Sequence, residues 1–119
     1  MSSTGYEYET LAAQWLENQG MRLLARNFRA RTGEIDIIAR DREHLVFLEV
    51  RSRGNKRFNT AAGSVDRSKQ KRILRTAQLF LQCHPGLANL PCRFDVIAFE
   101  PQQSGPNRDI RWIPGAFTA

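Results

Sequence analysis

The order of periodic segments in this 119-residue chain predicts an α/β fold, in which a mixed β-sheet is flanked by helices. Apolar residues recur at helical spacing from Tyr8 to Leu16 and again within 65–83. Between these segments lie three short apolar runs joined by turn-forming residues, the pattern of an antiparallel meander. Two strand-like runs follow the second helix, which gives the order αβββαββ. The length suits one domain, 1–119, with a single hydrophobic core.

The first helix is predicted from its apolar stripe and from Gly20, a residue type that commonly ends helices. Three strands are then predicted at 21–30, 34–40 and 45–51, separated by the sequences RTG and DRE. Such short links favour antiparallel pairing of neighbouring strands. The stripe of the first helix consists of Tyr8, Leu11, Ala12, Trp15 and Leu16.

The second helix is predicted over 65–83, where an apolar stripe opposes a basic face. It is preceded by a basic loop, 52–64, whose length is typical of functional or mobile loops. The sequence PGLANLP ends this helix, and the last two strands are predicted at 92–100 and 110–114. The apolar stripe consists of Ile73, Leu74, Ala77, Phe80 and Leu81.

Positive charge is concentrated in one part of the chain. The formal net charge is +6, but residues 51–75 contain nine of the 18 basic residues and only one acid, Asp66. Residues 1–50, in contrast, contain six basic and eight acidic residues. This asymmetry favours a polyanionic partner, with nucleic acid as the first choice. A solvated basic helix face is the alternative that the same pattern allows.

Several features indicate where the protein functions. No apolar run approaches the roughly 20 residues that span a bilayer, and the N-terminal sequence lacks the basic-then-apolar pattern of a secretory signal. Cys83 and Cys92 fit neither a metal-ligand spacing nor a disulfide framework. We therefore expect a cytoplasmic protein with reduced thiols and no membrane partner.

Two carboxylates lie in segments otherwise apolar enough to be buried strands, Asp36 in 34–40 and Glu49 in 45–51. A buried carboxylate costs free energy unless something pairs with it. Pairing through the short DRE turn can bring both carboxylates to one face of the sheet, and Arg51 shares the face of Glu49. Strict alternation places Glu34 and Ile38 beside Asp36, and Ile35, Ile37 and Ala39 on the other face.

Two carboxylates held on rigid strands suit Mg²⁺ or Mn²⁺, which prefer oxygen ligands and retain several waters. By its position, the backbone carbonyl of Val50 is a candidate third ligand. Such an ion can polarise a phosphate and activate a water, so an acid pair beside a basic segment predicts cleavage of a polyanion. The alternative is a structural ion pair between either carboxylate and Arg51 or Arg53.

Contacts to a phosphate backbone are expected from the basic loop and from the start of the second helix. A helix N-terminus favours phosphate because its first N–H groups are unpaired. Phe58 in the loop is a candidate for stacking on an unpaired base, or equally for anchoring the loop to the core. The candidate backbone contacts are Arg53, Lys56, Arg57, Lys69 and Arg72.

The segments GEIDIIA and VFLEVRSR, then SVDRSKQKRILRTA and RFDVIAF, resemble the UPF0102 or YraN-like family of small bacterial proteins. The resemblance covers nearly the whole chain, from ETLAAQWLENQGMRLLARNFR to WIPGAF. That family looks like a member of the restriction-endonuclease-like superfamily and is similar to archaeal Holliday-junction resolvases. The resemblance implies a restriction-endonuclease-like core and metal-dependent, structure-selective cleavage of DNA rather than RNA. The resemblance also implies that the substrate is branched DNA and that the protein acts as a homodimer.

The signature of that superfamily is an acid on one strand, followed by acid-x-Lys on the next. Asp36 matches the first acid and Glu49 the second, whereas Arg51 occupies the position of the lysine. Glu9 matches an additional acid that many relatives carry on the first helix, and Glu34 is expected to support the site. Because arginine stays protonated in proteins, Arg51 cannot be a general base, although it can stabilise developing charge.

Arg51 leaves two functional interpretations open. In the first, the protein cleaves DNA, and Lys69 at the start of the second helix reaches the site to replace the missing lysine. In the second, the exchange has abolished cleavage and left a nucleic-acid-binding protein with a degenerate nuclease site. A protein-interaction adaptor, which would neither cut nor bind DNA, is a third interpretation.

Overall fold

The structure, a computed structural model, describes residues 3–52, 66–101 and 108–117. The order of its elements confirms the predicted α/β fold, and the last strand is longer than predicted. The elements are α1 (Ser3–Asn18), β1 (Arg22–Ala30), β2 (Gly33–Asp41), β3 (His44–Ser52), α2 (Arg67–Cys83), a 3₁₀ turn (Pro85–Leu87), β4 (Cys92–Pro101) and β5 (Arg108–Phe117). Neither of the described α-helices is long and apolar enough to cross a membrane.

The five strands form one mixed sheet in the order β1-β2-β3-β4-β5. The predicted antiparallel meander is confirmed, since β2 pairs antiparallel with both β1 and β3. β3 and β4 run parallel, with Phe47 opposite Phe94, and the connection between them contains α2. Such a helical crossover is the usual connection between parallel strands. This arrangement is compatible with a restriction-endonuclease-like core.

One helix covers each face of the sheet. α2 contributes Ile73 and Phe80 to a cluster that includes Phe47 of β3. On the other face, α1 contributes Leu16 to a cluster that includes Leu48 of β3. Phe47 and Leu48 therefore face opposite sides, as the alternation predicted for β3 requires. Glu49, two residues after Phe47, belongs on the α2 side.

Two residues depart from the predicted helix stripes. Leu11 is 49% exposed, so it lies at the margin of the α1 stripe rather than in the core. Thr76 is polar yet completely buried within the stripe of α2. Its hydroxyl donates a hydrogen bond to the carbonyl of Arg72 at 2.8 Å, which satisfies the group inside the core.

The alternation predicted for β2 is wrong around Asp36. Ile35 and Ile38 both pack on the α2 side of the sheet, whereas Ile37 and Ala39 pack on the α1 side. Ile35 and Ile37 are two residues apart and should share a face in a regular strand. The pleat of β2 is therefore interrupted between them, at the position of the candidate ligand.

The neighbouring strand provides the physical reason. Asn27 of β1 has a φ of +54°, in the left-handed region, and it lies between Arg26 and Phe28. Those two residues pair with Ile37 and Ile35, so Asn27 stands opposite the interruption. A left-handed residue breaks the regular pleat, and asparagine tolerates this conformation better than most residues. The alternation of side chains between the two faces therefore shifts at the same point in β1 and β2, and the two strands remain paired.

Asp95 of β4 is a completely buried carboxylate whose hydrogen bonds are satisfied within the fold. Arg93 donates to it through Nε at 3.0 Å, and Trp112 of β5 donates through Nε1 at 2.8 Å. The backbone N–H of Gly115 donates to Asp95 Oδ1 at 2.9 Å, and Arg93 also pairs with Asp41. This network joins β2, β4 and β5, which gives Asp95 a structural role.

Candidate functional site

The ladder between β2 and β3 ends at Ile37 and Leu48, and the next residue on each strand is a carboxylate. Asp36 and Glu49 thus meet where the two strands separate, a place we call the fork. The backbone N–H of Val50 donates to Asp36 Oδ2 at 2.8 Å, and the N–H of Asp36 donates to Glu49 Oε2 at 3.3 Å. Each carboxylate therefore accepts a hydrogen bond from the backbone of the opposite strand, which holds the two together.

The fork shields its carboxylates from water to different degrees, since Glu49 is only 3% exposed and Asp36 is half-buried. Burial and then the charge of Asp36 raise the pKa of Glu49 to about 8. Burial also raises the pKa of Asp36, although the hydrogen bond from Val50 and the charge of Arg51 oppose the change. Two negative charges in one buried space repel each other, so the fork favours binding a proton or a cation.

Two cations approach Glu49 from different elements. Arg51 Nη2 lies 3.4 Å from Glu49 Oε1, and Lys69 Nζ of α2 lies 4.0 Å from the same oxygen. The predicted ion pair with Arg51 is therefore present, but both contacts are long. They do not offset burial, since the pKa of Glu49 remains raised. Arg51 Nε is buried and has no hydrogen-bond partner among the described residues.

An open pocket of about 410 Å³ leads to the fork. Its volume lies within the range of ordinary small-ligand sites. The beginning of α2 and the turn between β1 and β2 both contribute to its lining. Five residues singled out in the sequence meet in this pocket: Glu34, Asp36, Glu49, Lys69 and Arg72.

Glu9 and Glu34 differ in their relation to the pocket. Glu34 lines it and also pairs with the exposed Arg29. Glu9 lies on α1 and is not part of the lining. Burial and then the charge of Asp36 raise the pKa of Glu9, while a hydrogen bond from Asn27 opposes the change. Glu9 is therefore close enough to feel the charge of the fork without facing the pocket.

The turn between β1 and β2 is held against α2 by a hydrogen bond that sequence reasoning missed. Thr32 Oγ1 lies 2.7 Å from Thr76 Oγ1. Because the hydroxyl proton of Thr76 is directed to the carbonyl of Arg72, Thr32 is the donor to Thr76. A Cβ at Gly33 would make an ordinary contact with Thr76 Oγ1 at 3.5 Å, but the φ of +148° disfavours any side chain at this position. This contact sets the position of Glu34 relative to α2.

We expect Thr32→Val to lower the free energy of unfolding by about 1 kcal/mol, because it removes one hydrogen bond but keeps the side-chain size. Urea denaturation measures this change. Thr32→Ser retains the hydroxyl and is the matched control, expected to remain near the wild-type value. Equal losses in the two variants would contradict the assignment of the effect to the hydrogen bond.

The oxygen atoms of the fork can be compared with the ligands that divalent cations prefer. Among the described residues, no group of three or more His, Cys, Asp or Glu side chains could hold a metal ion. Asp36 and Glu49 supply two carboxylates, and the N–H of Val50 points to Asp36. The N–H and C=O of an extended residue point to the same edge of its strand, which directs the Val50 carbonyl there too. Two carboxylates, one carbonyl and waters fit the preferences of Mg²⁺ and Mn²⁺.

The basic loop lies largely outside the described residues. The predicted backbone contacts of Arg53, Lys56 and Arg57, and the alternatives for Phe58, therefore stay predictions. Lys69 is predictable from the sequence because it lies in the first turn of the basic helix, shortly after the loop. In the sequence, Asn27, Thr32 and Thr76 carried no comparable signal, since each acts through a residue distant in the chain.

Comparison with known proteins shows which family this chain is similar to. The family model described as "Uncharacterised protein family UPF0102" matches residues 8–99, which include the fork and α2. A UPF0102 protein of Saccharophagus degradans is 49% identical over 117 residues, covering 98% of this chain and 94% of that protein. UPF0102 proteins of Hahella chejuensis and Alcanivorax borkumensis are 46% and 45% identical, covering 96% and 97% of this chain and 89% and 91% of their own lengths.

Proposed function

We propose that this protein, which belongs to the UPF0102 family, is a divalent-metal-dependent endonuclease that hydrolyses phosphodiester bonds in structured DNA. The observation that carries the proposal is the fork, where half-buried Asp36 and buried Glu49 line one pocket. Cations from β3 and α2 approach the same carboxylate. A negative pair that can take up a dication, beside positive groups that can hold phosphate, is the combination required to cleave a polyanion.

Mg²⁺ or Mn²⁺ is the cofactor that the donor set supports. Asp36 and Glu49 provide carboxylate oxygens, and the Val50 carbonyl is directed to the same gap. The raised pKa of Glu49 means that burial and the charge of Asp36 outweigh the neighbouring cations, so the ionised pair would gain from a bound dication. When bound, the ion would stabilise charge on the reacting phosphate and make a water molecule more acidic.

The cations of the site have separate tasks in this proposal. Hydrolysis joins a water oxygen to phosphorus and breaks the bond to one ester oxygen, which leaves with a proton. Arg51 cannot accept the proton of the water, but its partly exposed guanidinium beside Glu49 would stabilise the charge that develops on the phosphate. Lys69 brings an ammonium group to Glu49 from α2 and orients the water there. Arg72 lines the pocket and binds the phosphate backbone of the DNA.

The test is incubation of labelled branched and linear DNA with Mg²⁺ or Mn²⁺, and separately with a chelator. The expected result is cutting, preferentially of the branched substrate, that needs both the ion and Asp36. Asp36→Ala should not cut, whereas Glu43→Ala, which removes an exposed carboxylate at the β2–β3 turn, should cut like the wild type. Cutting by Asp36→Ala would refute the assignment of the site.

Calorimetric titration with Mn²⁺ tests the fork independently of turnover. We expect wild-type protein and Glu43→Ala to bind the ion and Asp36→Ala to lose that binding. Asp36→Asn keeps an oxygen that can accept the hydrogen bond from Val50, so it separates loss of charge from loss of local structure. Unchanged Mn²⁺ binding in both Asp36 variants would place the ion elsewhere.

A non-catalytic nucleic-acid-binding protein is the second candidate, and the pairing of Arg51 with Glu49 favours it. In that case Arg51 neutralises the carboxylate in place of an ion, and the fold retains its basic surface without turnover. This candidate predicts salt-sensitive DNA binding and no cutting with either ion. The cleavage experiment distinguishes the two, since both predict binding and only the first predicts metal-dependent products.

A further inference from the structure

The cations of α2 are divided between two surfaces. Lys69 and Arg72 line the pocket. Arg67, Lys71 and Arg75 are exposed, at successive four-residue intervals, and lie away from the buried residues of the helix. We call these three residues the outer stripe. Because residues three or four apart are neighbours on a helix, Arg72 adjoins Arg75, and the stripe is continuous with the pocket.

We propose that the outer stripe binds the phosphate backbone of a duplex arm that extends from the strand held in the pocket. The inference rests on the proposed function, because the pocket must hold nucleic acid before an arm can leave it along α2. It assigns Arg67, Lys71 and Arg75 to the arm, separately from the residues that act at the scissile phosphate.

The charges of the outer stripe have no internal counterpart in the described residues. None of its three side chains forms a described ion pair, and α2 contains no acidic residue from Arg67 to Cys83. Like charges four residues apart, as in the two steps of the stripe, destabilise a helix. A helix face that serves only solubility usually mixes both signs. The arrangement therefore favours an anion from outside the chain.

The two helices have opposite charge, which decides the side of the sheet that a polyanion approaches. α1 carries Glu7, Glu9 and Glu17 and no basic residue. α2 carries five basic residues and covers the face that contains the pocket. A duplex that enters the pocket is thus attracted along α2 and repelled by the α1 side.

The length of the outer stripe sets the length of arm that it can hold. Arg67 and Arg75 are eight residues apart, or about 12 Å along the helix axis. Duplex DNA rises about 3.4 Å per base pair, so the stripe covers about four base pairs. The stripe is straight and offers charge alone, which suits a stiff duplex. Single-strand sites commonly combine charge with aromatic stacking surfaces.

The test compares DNA binding by the triple variant Arg67→Gln/Lys71→Gln/Arg75→Gln and by wild-type protein, in chelator, across a salt series. Loss of three phosphate contacts is expected to reduce the slope of log affinity against log salt by roughly three, on duplex arms of eight or more base pairs. The variant should unfold at the same temperature as wild type or higher, because glutamine forms helix well and the repulsion is removed.

A matched control removes the same number of positive charges at a distance from the pocket. It changes the end of the β1–β2 pair that lies away from the pocket-lining β1–β2 turn. Its substitutions are Arg22→Gln, Arg40→Gln and Arg42→Gln, at and beside the β2–β3 turn. The control should keep the wild-type salt slope. Hairpin-capped arms of three base pairs provide a second comparison, because they end before the far end of the stripe. On these arms the triple variant should lose less of the salt slope than on arms of eight or more base pairs, because the short arm does not reach the whole stripe.

The outcomes separate this inference from the proposed function. An unchanged slope in the triple variant, or an equal fall in the matched control, would overturn the inference while leaving metal-dependent cutting intact. An equal loss on single strands of the same length would overturn the assignment to a duplex. If wild-type protein neither binds nor cuts any DNA, the proposed function fails and the inference fails with it.

Discussion

Glu49→Gln is expected to reduce cleavage by on the order of 10³-fold while making the metal-free protein more stable at pH 8. Cleavage falls because one of two carboxylates is lost, and about 4 kcal/mol of transition-state stabilisation corresponds to three powers of ten. Stability rises because glutamine buries no charge, yet keeps an oxygen to accept the N–H of Asp36. Single-turnover cleavage and urea unfolding of the same preparation measure the two effects.

The sign of the stability change distinguishes an ion site from a structural salt bridge. If Arg51 and Glu49 formed a pair that stabilises the fold, removing the carboxylate would leave a half-buried guanidinium without its partner and destabilise the protein. Glu43→Gln removes a carboxylate that is exposed at the β2–β3 turn and should leave both cleavage and stability unchanged. A destabilised Glu49→Gln variant would therefore argue for the binding protein rather than the enzyme.

The elements that local sequence pattern specifies were predictable. Both helices follow from apolar spacing, and β3 follows from alternation, which correctly separates Phe47 from Leu48. The meander follows from turns too short for any other connection. These features depend on residues within one or two turns of each other, where periodicity carries the information.

The departures from prediction depend on contacts between distant segments. The regular pleat of β2 is interrupted at Asp36, opposite the left-handed Asn27 of the neighbouring strand. No sequence pattern within β2 predicts this interruption. The hydrogen bond from Thr32 to Thr76 joins residues 44 positions apart. A threonine in an apolar stripe shows neither that it is buried nor which turn it contacts.

The candidate site was predictable in its acids and only partly in its cations. The short β2–β3 turn brings Asp36 opposite Glu49, and the interruption of the pleat leaves both facing the pocket. The approach of Lys69 to Glu49 depends on how α2 crosses the sheet. Periodicity identifies which side of a helix is buried, but it does not fix which end lies over the fork.

In the absence of divalent ions, the contribution of Glu49 to stability is expected to fall as pH rises from about 4.5 to about 8. In this range the folded protein retains a proton on Glu49, whose pKa burial raises to about 8, while the unfolded chain has lost it. Stability decreases with pH wherever the folded state binds more protons. At about 1.4 kcal/mol per pKa unit, the full change is on the order of 5 kcal/mol.

Urea unfolding of wild-type protein and Glu49→Gln between pH 5 and pH 8 measures this contribution as the difference between the two. The raised pKa of Asp36 acts in the same direction, whereas the charges of Arg51 and Lys69 oppose it. Added Mg²⁺ should stabilise wild-type protein increasingly as pH rises, because it binds the ionised pair and displaces the proton. A difference that stays constant with pH, with or without Mg²⁺, would mean that neighbouring guanidinium and ammonium groups already neutralise Glu49. The fork would then have no uncompensated charge with which to bind a dication.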